Sequence, residues 1–208
     1  PLKICRLFLR PLIQSTDTYL KDTKDVLRLL ETIDYDSSTD LLMSFDVESL
    51  YTSLPQKETL EVIEQVLFES TWSFNTPRSF VLECIEIALT QNLFEYRGTL
   101  YLQKHGTSMG STFAPSLAGL YVHHLETHKI LAPSNPFINH LHVWKRYIDD
   151  VLVIWRGTED MAKAFWQWLN DQSEYLKFTQ EIAHGCLVFL DLNIFTEDNH
   201  LRTTTHTK

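Results

Sequence analysis

Two adjacent carboxylates, Asp149 and Asp150, lie between two apolar runs of the sequence. Aspartate is unfavourable inside strands but common at the tip of a hairpin. Residues 143–148 alternate as in a strand, and residues 151–155 are almost wholly apolar. The pattern predicts a tight turn at Asp149-Asp150 that presents two acids at the end of a well-packed hairpin. A hard divalent cation prefers such oxygen ligands, although an isolated Asp-Asp pair is more often an ordinary acidic surface turn.

A third acid, Asp46, follows the apolar run 41–45, which reads as a strand. An unpaired carboxylate at the end of a buried strand is costly unless it binds a partner or a metal ion. Asp46 is therefore a second candidate for cation chemistry. Asp46 and Asp149 are far apart in sequence, so they can act together only if the fold brings them to one place.

Three segments resemble motifs A, B and C of reverse transcriptases, in the order of that family. The segment similar to motif A is Phe45-Asp46-Val47 with Ser49-Leu50-Tyr51-Thr52 and Pro55. The segment similar to motif B is Gly106-Thr107-Ser108-Met109-Gly110-Ser111 with Ala114, Pro115, Ala118 and Glu126. The segment similar to motif C is Arg146-Tyr147-Ile148-Asp149-Asp150. Motifs A and C are most similar to those of Penelope-like retroelement reverse transcriptases. Residues 176–194 and 203–208 resemble later blocks of that family, so the resemblance runs from about Tyr19 to the end.

The resemblance implies an α+β fold, with a polymerase palm-like antiparallel sheet, helices packed on one face, partial fingers and no thumb. Residues 1–208 would be a partial reverse transcriptase domain. Within it, residues 1–40 would lead from fingers into palm, 41–195 would form the palm core, and 196–208 would begin the next block. Such a palm would bring Asp46 beside the 149–150 turn.

The resemblance also implies residue roles. Asp46, Asp149 and Asp150 would be catalytic and would hold two Mg²⁺ ions, or Mn²⁺ as a substitute, together with the backbone carbonyl of Val47. Tyr51 would lie under the sugar of the incoming nucleotide and exclude a 2′-hydroxyl, and the alternative for Tyr51 is a buried aromatic at a strand end. The remaining contacts to base and sugar would come from Ser108, Met109 and Gly110.

The implied activity is RNA-directed DNA polymerisation, which extends a primer 3′-hydroxyl by two-metal nucleotidyl transfer. Its partners would be an RNA or DNA template, a primer strand, deoxynucleoside triphosphates, and the fingers and thumb of a longer chain, without a membrane. An intracellular, nuclear location is expected from the family. The alternative is a catalytically inactive palm-fold remnant that acts as an interaction module.

Composition limits these interpretations. The chain has 208 residues, 44% hydrophobic and 22% charged, which is typical of a folded domain rather than a disordered one. Its three cysteines lack the spacing of a zinc site or a disulfide framework. A net charge of −9 argues against tight nucleic-acid binding by this segment alone, because such binding depends on Lys and Arg.

Periodicity and capping residues give a coarse secondary structure. The predicted helices cover about Leu20 to Ile33 with Asp17 as cap, Thr59 to Glu69, Pro77 to Asn92, Pro115 to Ile130, and Thr158 to Tyr175. The predicted strands cover 41–47, a 93–102 hairpin turning at Arg97-Gly98, a 142–155 hairpin, 176–182 and 187–195. Residues 1–17 show no clear period.

Overall fold

A computed structural model describes residues 2–207 of the chain. These residues form two compact units, one from residues 2–16 and 49–127 and the other from residues 17–48 and 128–207. The chain order of the elements is α1 (Leu2–Gln14), α2 (Thr23–Thr32), β1 (Asp40–Val47), α3 (Leu50–Ser53), α4 (Gln56–Glu69), α5 (Arg78–Thr90), β2 (Leu93–Tyr96), β3 (Thr99–Leu102), α6 (Ala114–Leu125), a π-helical turn (Glu126–Ile130), a 3-10 turn (Ile138–His140), β4 (Leu141–Tyr147), β5 (Asp150–Arg156), α7 (Glu159–Asn170), β6 (Phe178–Ile182), β7 (Cys186–Phe189), β8 (Leu192–Glu197) and β9 (His200–Thr205).

The first unit is mainly helical. Helix α1 contacts α5 and α6, and α4 contacts the same two helices. Most of α6 is buried, which explains its continuous apolar and small residues. The hairpin β2–β3 turns at Arg97 and Gly98, whose φ angles of +51° and +77° suit a two-residue turn that needs positive φ at both positions. The predicted hairpin and its turn are thus confirmed.

The second unit is built on a four-stranded antiparallel sheet of order β4-β5-β1-β6. Its two central strands are β5 and β1, and residues 151–155 of β5 are all buried. A strand with both faces covered has no reason to alternate apolar with polar residues. The unbroken apolar run of β5 therefore follows from its central position.

One face of this sheet packs on α7. The Phe165 ring is fully buried and stacks on Trp155 with ring centroids 5.2 Å apart. Edge contacts join the same ring to Phe45 at 5.9 Å and to Trp144 at 6.2 Å. The predicted antiparallel sheet with a helix packed behind it is therefore present in this unit.

The other face of the sheet is also covered. Its buried residues Leu42, Leu152 and Ile154 belong to one cluster with residues of α2 and of a second sheet, of order β7-β8-β9. The sequence did not predict this second sheet. The run 187–195 was expected to be one strand, but it is broken by a turn in which Leu190 has a φ of +53°.

Three predicted helix ends were wrong. Helix α4 begins at Gln56 rather than at Thr59. Helix α2 begins at Thr23 because Asp22, rather than Asp17, accepts hydrogen bonds from the backbone N–H groups of Lys24 and Asp25. Helix α7 ends at Asn170 instead of near Tyr175. The Asn170 side chain accepts from the Phe178 N–H at 2.8 Å and donates to the Phe178 carbonyl at 3.0 Å, which turns the chain into β6.

Helix α1 was not predicted at all, although its signal is present. Its buried residues, Cys5, Phe8, Leu9, Leu12 and Ile13, have the i, i+3, i+4, i+7, i+8 spacing of an amphipathic helix. Additional apolar residues on the exposed side and a proline inside the helix obscure that period. Within residues 2–207, no helix is both long enough and apolar enough to span a lipid bilayer.

Candidate active site

The central strands of the second unit bring the candidate catalytic acids together. In the antiparallel register of β1 and β5, Asp46 is directly opposite Asp150. Directly opposed residues project from the same face of a sheet. The Val47 N–H also donates to the Asp149 carbonyl at 3.1 Å, which ties the end of β1 to the hairpin tip. Residues from two distant parts of the sequence thus meet at one end of the sheet.

The turn lies one residue earlier than predicted. Ile148 and Asp149 form it, and Asp150 is already the first residue of β5, paired with Tyr147. This shift places Asp150 on a strand beside Asp46 and leaves Asp149 at the tip. The two adjacent aspartates therefore have different surroundings, because Asp150 lies on a strand and Asp149 lies in the turn.

The turn contains an unfavourable backbone conformation. Ile148 has a φ of +55°, a region that β-branched residues rarely adopt because the Cβ meets the backbone. The buried Arg146 side chain supports the turn by donating a hydrogen bond to the Ile148 carbonyl at 2.9 Å. Strained residues that the surroundings hold in place are common at functional sites. The arrangement fixes the position of Asp149.

Electrostatic repulsion acts on Asp46. Its side chain reaches solvent, yet the surrounding protein removes part of its hydration, and this partial burial raises the pKa of Asp46 above the usual range. The negative charges of Asp149 and Glu48 raise the same pKa further. The ionised form of Asp46 is therefore destabilised at neutral pH, and a cation at this end of the sheet would stabilise it.

A cavity of about 370 Å³ adjoins Asp46 and Asp150. Its lining includes Asp46, Asp150 and Glu181 from the four-stranded sheet, and residues 188–190 from the β7–β8 hairpin. Sequence patterns did not reveal Glu181 or residues 188–190 as part of this site. The closeness of Glu181 to Asp46 depends on the pairing of β1 with β6, and that of residues 188–190 depends on a second sheet that was not predicted. Thr179, Gln180 and Glu181 are three consecutive polar residues, so no alternation in the sequence marks Glu181.

The donor set is compatible with a hard divalent cation. Among residues 2–207, no group of three or more His, Cys, Asp or Glu side chains is placed to hold a metal ion. Mg²⁺, however, is usually bound through one or two carboxylates plus substrate phosphates, and it keeps several waters. The oxygens of Asp46 and Asp149, whose charges interact, fit that requirement. The roles of Asp150 and of the Val47 carbonyl as ligands stay predictions.

Four of the predicted nucleotide-binding residues lie in the first unit. The loop before α6 is joined to α3 by hydrogen bonds from the Gly106 N–H to the Leu54 carbonyl at 2.9 Å and from the Thr107 N–H to the Tyr51 carbonyl at 2.8 Å. Tyr51 is half-buried. These bonds connect Tyr51 to the loop that carries the other three residues, Ser108, Met109 and Gly110.

Gly106 is required for this connection. It has a φ of +69°, and a Cβ at this position would lie 2.5 Å from the Tyr51 carbonyl oxygen and 2.7 Å from the Thr52 Cα. Such distances are well inside van der Waals contact, and both atoms belong to the backbone. Only glycine allows the two segments to approach this closely. Along the same loop, the Met109 side chain is 69% exposed and is therefore not a core residue.

Sequence comparison identifies one protein family. The profile described as reverse transcriptase (RNA-dependent DNA polymerase) matches residues 4–180 of the chain. No curated protein sequence is significantly similar to the chain.

Solved structures of two kinds of polymerase resemble the fold. Apo telomerase from Candida tropicalis is 14% identical with a TM-score of 0.69, and the match covers 97% of this chain and 40% of the telomerase. Telomerase from Candida albicans, in complex with a TWJ fragment of telomeric RNA, is 15% identical with a TM-score of 0.69 over 97% of this chain and 37% of that one. The BmCPV RNA-dependent RNA polymerase in its quiescent state is 11% identical with a TM-score of 0.63, over 93% and 19%. The chain thus spans less than half the length of each.

Proposed function

Because the chain belongs to the reverse transcriptase (RNA-dependent DNA polymerase) family, we propose that it is the catalytic segment of an RNA-directed DNA polymerase. The proposed reaction is extension of a primer 3′-hydroxyl by deoxynucleoside triphosphates along an RNA or DNA template. The observation that supports it best is the β1–β5 register, in which Asp46 is opposite Asp150 and the hairpin tip with Asp149 is bonded to Val47.

The chain's own residues would perform three tasks in this reaction. Asp46 and Asp149 would hold the divalent cations, with Asp150 and the Val47 carbonyl as further oxygen donors. When bound, Mg²⁺ or Mn²⁺ supplies positive charge to the attacking and leaving oxygens of a phosphoryl transfer. The rigid hairpin, supported by Arg146 beneath the turn, would keep the Asp149 carboxylate in place as substrates arrive.

Selection of the nucleotide is assigned to the first unit. We propose that Tyr51 packs under the deoxyribose and leaves no room for a 2′-hydroxyl. Ser108, Met109 and Gly110 would contact base and sugar, and the exposure of Met109 leaves its side chain available for such a contact. The hydrogen bond between Thr107 and Tyr51 supports a common role for these residues.

The finer assignment is to a Penelope-like retroelement. It is supported by the residues of motifs A and C, which are Asp46-Val47-Glu48-Ser49-Leu50-Tyr51-Thr52 and Arg146-Tyr147-Ile148-Asp149-Asp150. The thumb and the rest of the fingers of such a polymerase would come from a longer chain; the present chain covers 40% and 37% of the two matched telomerases.

Primer extension on an RNA template with Mg²⁺ tests the proposal. The chain supplied with flanking sequence at both ends should make template-dependent DNA, and the chain alone should make less, because its net charge of −9 weakens the binding of primer and template. Asp149→Asn should lower the rate at least about a hundredfold, the scale of losing one preorganised electrostatic group. The matched control is Asp198→Asn, because Asp198 is exposed on a turn with a φ of +49° that asparagine tolerates.

The two outcomes separate the candidate functions. DNA synthesis that survives Asp149→Asn would refute the assignment of the catalytic acids. Template and primer binding without any extension, in both the short and the extended forms, would instead support a catalytically inactive interaction module.

A further inference from the structure

Helix α1 carries positive charge that the catalytic proposal does not use. Residues 1–16 contain three cationic side chains, Lys3, Arg6 and Arg10, and no Asp or Glu, in a chain whose net charge is −9. All three are exposed. Their positions differ by three and four residues, so they share one face of the helix. The charge of the molecule is therefore segregated, with a basic face on one helix of the first unit.

The basic face borders an open groove of about 440 Å³. We call it the α1 groove, and its lining residues are Lys3, Arg6, Leu7, Arg10, Pro11, Gln14 and Thr112. Six of these seven come from α1, and Thr112 comes from the loop before α6. The groove thus combines three cations with apolar surface from Leu7, which is 65% exposed, and from Pro11.

The three cations have no anionic partner within residues 2–207. Some exposed cations elsewhere are paired locally, such as Lys163 with Glu159 at 2.7 Å and Lys57 with Glu61 at 3.7 Å. Cations that share a face without counter-charges repel one another. A ligand that brings several negative charges in a row would remove that repulsion.

The spacing of the cations is fixed by packing. The opposite side of α1 is buried through Cys5, Phe8 and Leu9, and the helix contacts α5 and α6. Lys3 and Arg10 are therefore about 10 Å apart along a rigid helix axis. That length corresponds to about three phosphates of one strand, at 3.4 Å per nucleotide in a duplex.

We propose that the α1 groove binds the phosphate backbone of a nucleic-acid strand. The inference rests on the proposed polymerase function, because a polymerase must hold a strand outside its reaction centre. Lys3, Arg6 and Arg10 contact phosphates, and Leu7 and Pro11 contact sugars. Recognition of this kind is independent of sequence and depends strongly on salt.

An anionic membrane surface is the competing partner for a basic amphipathic helix. Membrane binding needs the apolar face of the helix to enter the bilayer. In α1 that face is already buried inside the first unit, so only its basic side and scattered apolar side chains remain available. The structure therefore favours a nucleic-acid strand.

An equilibrium binding experiment tests the proposal directly. A fluorescein-labelled single-stranded DNA 20-mer is titrated with the 208-residue chain at several salt concentrations, and anisotropy is recorded. The test variant is Lys3→Gln/Arg6→Gln/Arg10→Gln. The control variant is Lys57→Gln/Lys163→Gln/Arg202→Gln, which removes the same charge from cations that are ion-paired in the structure. Circular dichroism checks that both variants remain folded.

We expect the test variant to bind at least about tenfold more weakly at low salt. The slope of log K against log salt should fall by about 2, since each phosphate contact on a single strand contributes about 0.7. The control variant should change the affinity less than about twofold. Equal losses in both triple variants, undiminished binding by the test variant, no binding by the wild type, or comparable binding to anionic phosphatidylserine vesicles would each overturn the inference.

The result is separable from the catalytic proposal. Asp198→Asn should bind the 20-mer as tightly as the wild type, because Asp198 is exposed on a turn of the second unit and is not part of the α1 groove. Loss of extension with Asp149→Asn but no binding defect in the α1 variant would refute the groove alone. A binding defect in the α1 variant of a chain that never extends a primer would refute only the polymerase proposal.

Discussion

Asp46 occupies a position where a charged side chain is costly. Partial burial and then the charges of Asp149 and Glu48 raise its pKa, so the folded protein binds a proton there more readily than the unfolded chain does. Ionisation of Asp46 therefore lowers the stability of the fold as the pH rises from the ordinary aspartate range through the raised pKa. A neutral side chain of the same shape would avoid this loss.

We accordingly predict that Asp46→Asn stabilises the metal-free protein at pH 7, by at most about 1 kcal/mol, the scale of interactions between exposed charges. The gain should shrink as the pH falls below the ordinary aspartate value, where the wild-type carboxyl is also neutral. Urea denaturation at several pH values measures both. A variant that is less stable than the wild type at pH 7 would contradict the repulsion described for this residue.

At the scale of elements, the loop before α6 depends on a close approach to α3. The Cβ of any residue larger than glycine at position 106 would meet backbone atoms of Tyr51 and Thr52. Backbone atoms cannot move aside without breaking the hydrogen bonds that join the two segments. The position of the loop relative to Tyr51 is therefore set by one residue.

Gly106→Ala should destabilise the protein by at least about 2 kcal/mol, because it combines a positive φ with a steric clash. Gly98→Ala is the matched control, since Gly98 has a φ of +77° but nothing within 4 Å of the added Cβ. It should cost only about 1 kcal/mol. Chemical denaturation of both variants gives the difference, and equal losses would show that the contact with α3 is unimportant.

The packing of α7 on the sheet gives a second test at this scale. Phe165→Ala should cost about 3–5 kcal/mol, because the ring is fully buried among aromatic side chains of the sheet. Phe68→Ala removes the same ring from a position that is 80% exposed, and it should change the unfolding free energy by less than about 0.5 kcal/mol. Similar losses in the two variants would mean that α7 does not anchor the sheet.

Prediction from sequence succeeded where local pattern decides the structure. The strand ending at Val47, the Arg97-Gly98 turn and the Thr158 cap of α7 all follow from nearby residues, and the structure contains each of them. It failed where a distant contact decides. Backbone hydrogen bonds join Thr18 and Leu20 to Arg146 of strand β4, so these residues cannot begin a helix. Helix α2 is therefore capped by Asp22 rather than by Asp17.

The candidate site, too, was predicted where local sequence decides and missed where distant contacts decide. The aspartates were identified by motif, but their pairing could not be read from sequence, since it depends on the register of β1 with β5. The turn was placed one residue too late because isoleucine is a poor residue for positive φ. The hydrogen bond from Arg146 supports Ile148 in that conformation, and the sequence does not reveal this bond.

At the scale of the whole molecule, divalent cations should stabilise the folded state, because a ligand that binds only the native protein raises its stability. Millimolar Mg²⁺ should raise the unfolding free energy by about 1 kcal/mol at a few times its dissociation constant. For a protein of this size, that is a rise in Tm of about 2–4 °C over EDTA. Differential scanning calorimetry at constant ionic strength measures it.

Asp149→Asn should reduce this increment, because it removes one ligand charge and the repulsion that the cation relieves. Asp198→Asn should leave it unchanged. Identical melting of the wild type with EDTA and with Mg²⁺ would indicate that the acids at the end of β1 and β5 do not form a cation site in the free protein.

The insertion of residues 49–127 between β1 and its partner strand has a consequence for synthesis on the ribosome. At about 5–20 residues per second, β5 is translated roughly 5 to 20 seconds after β1. Residues 49–127 carry most of the first unit, which can fold during that interval. Strand β1 cannot pair with β5 before then, so its apolar residues Leu42, Met43 and Phe45 lack their native partners in the nascent chain until the β4–β5 hairpin emerges. An unpaired apolar strand of this kind makes the nascent chain prone to aggregation.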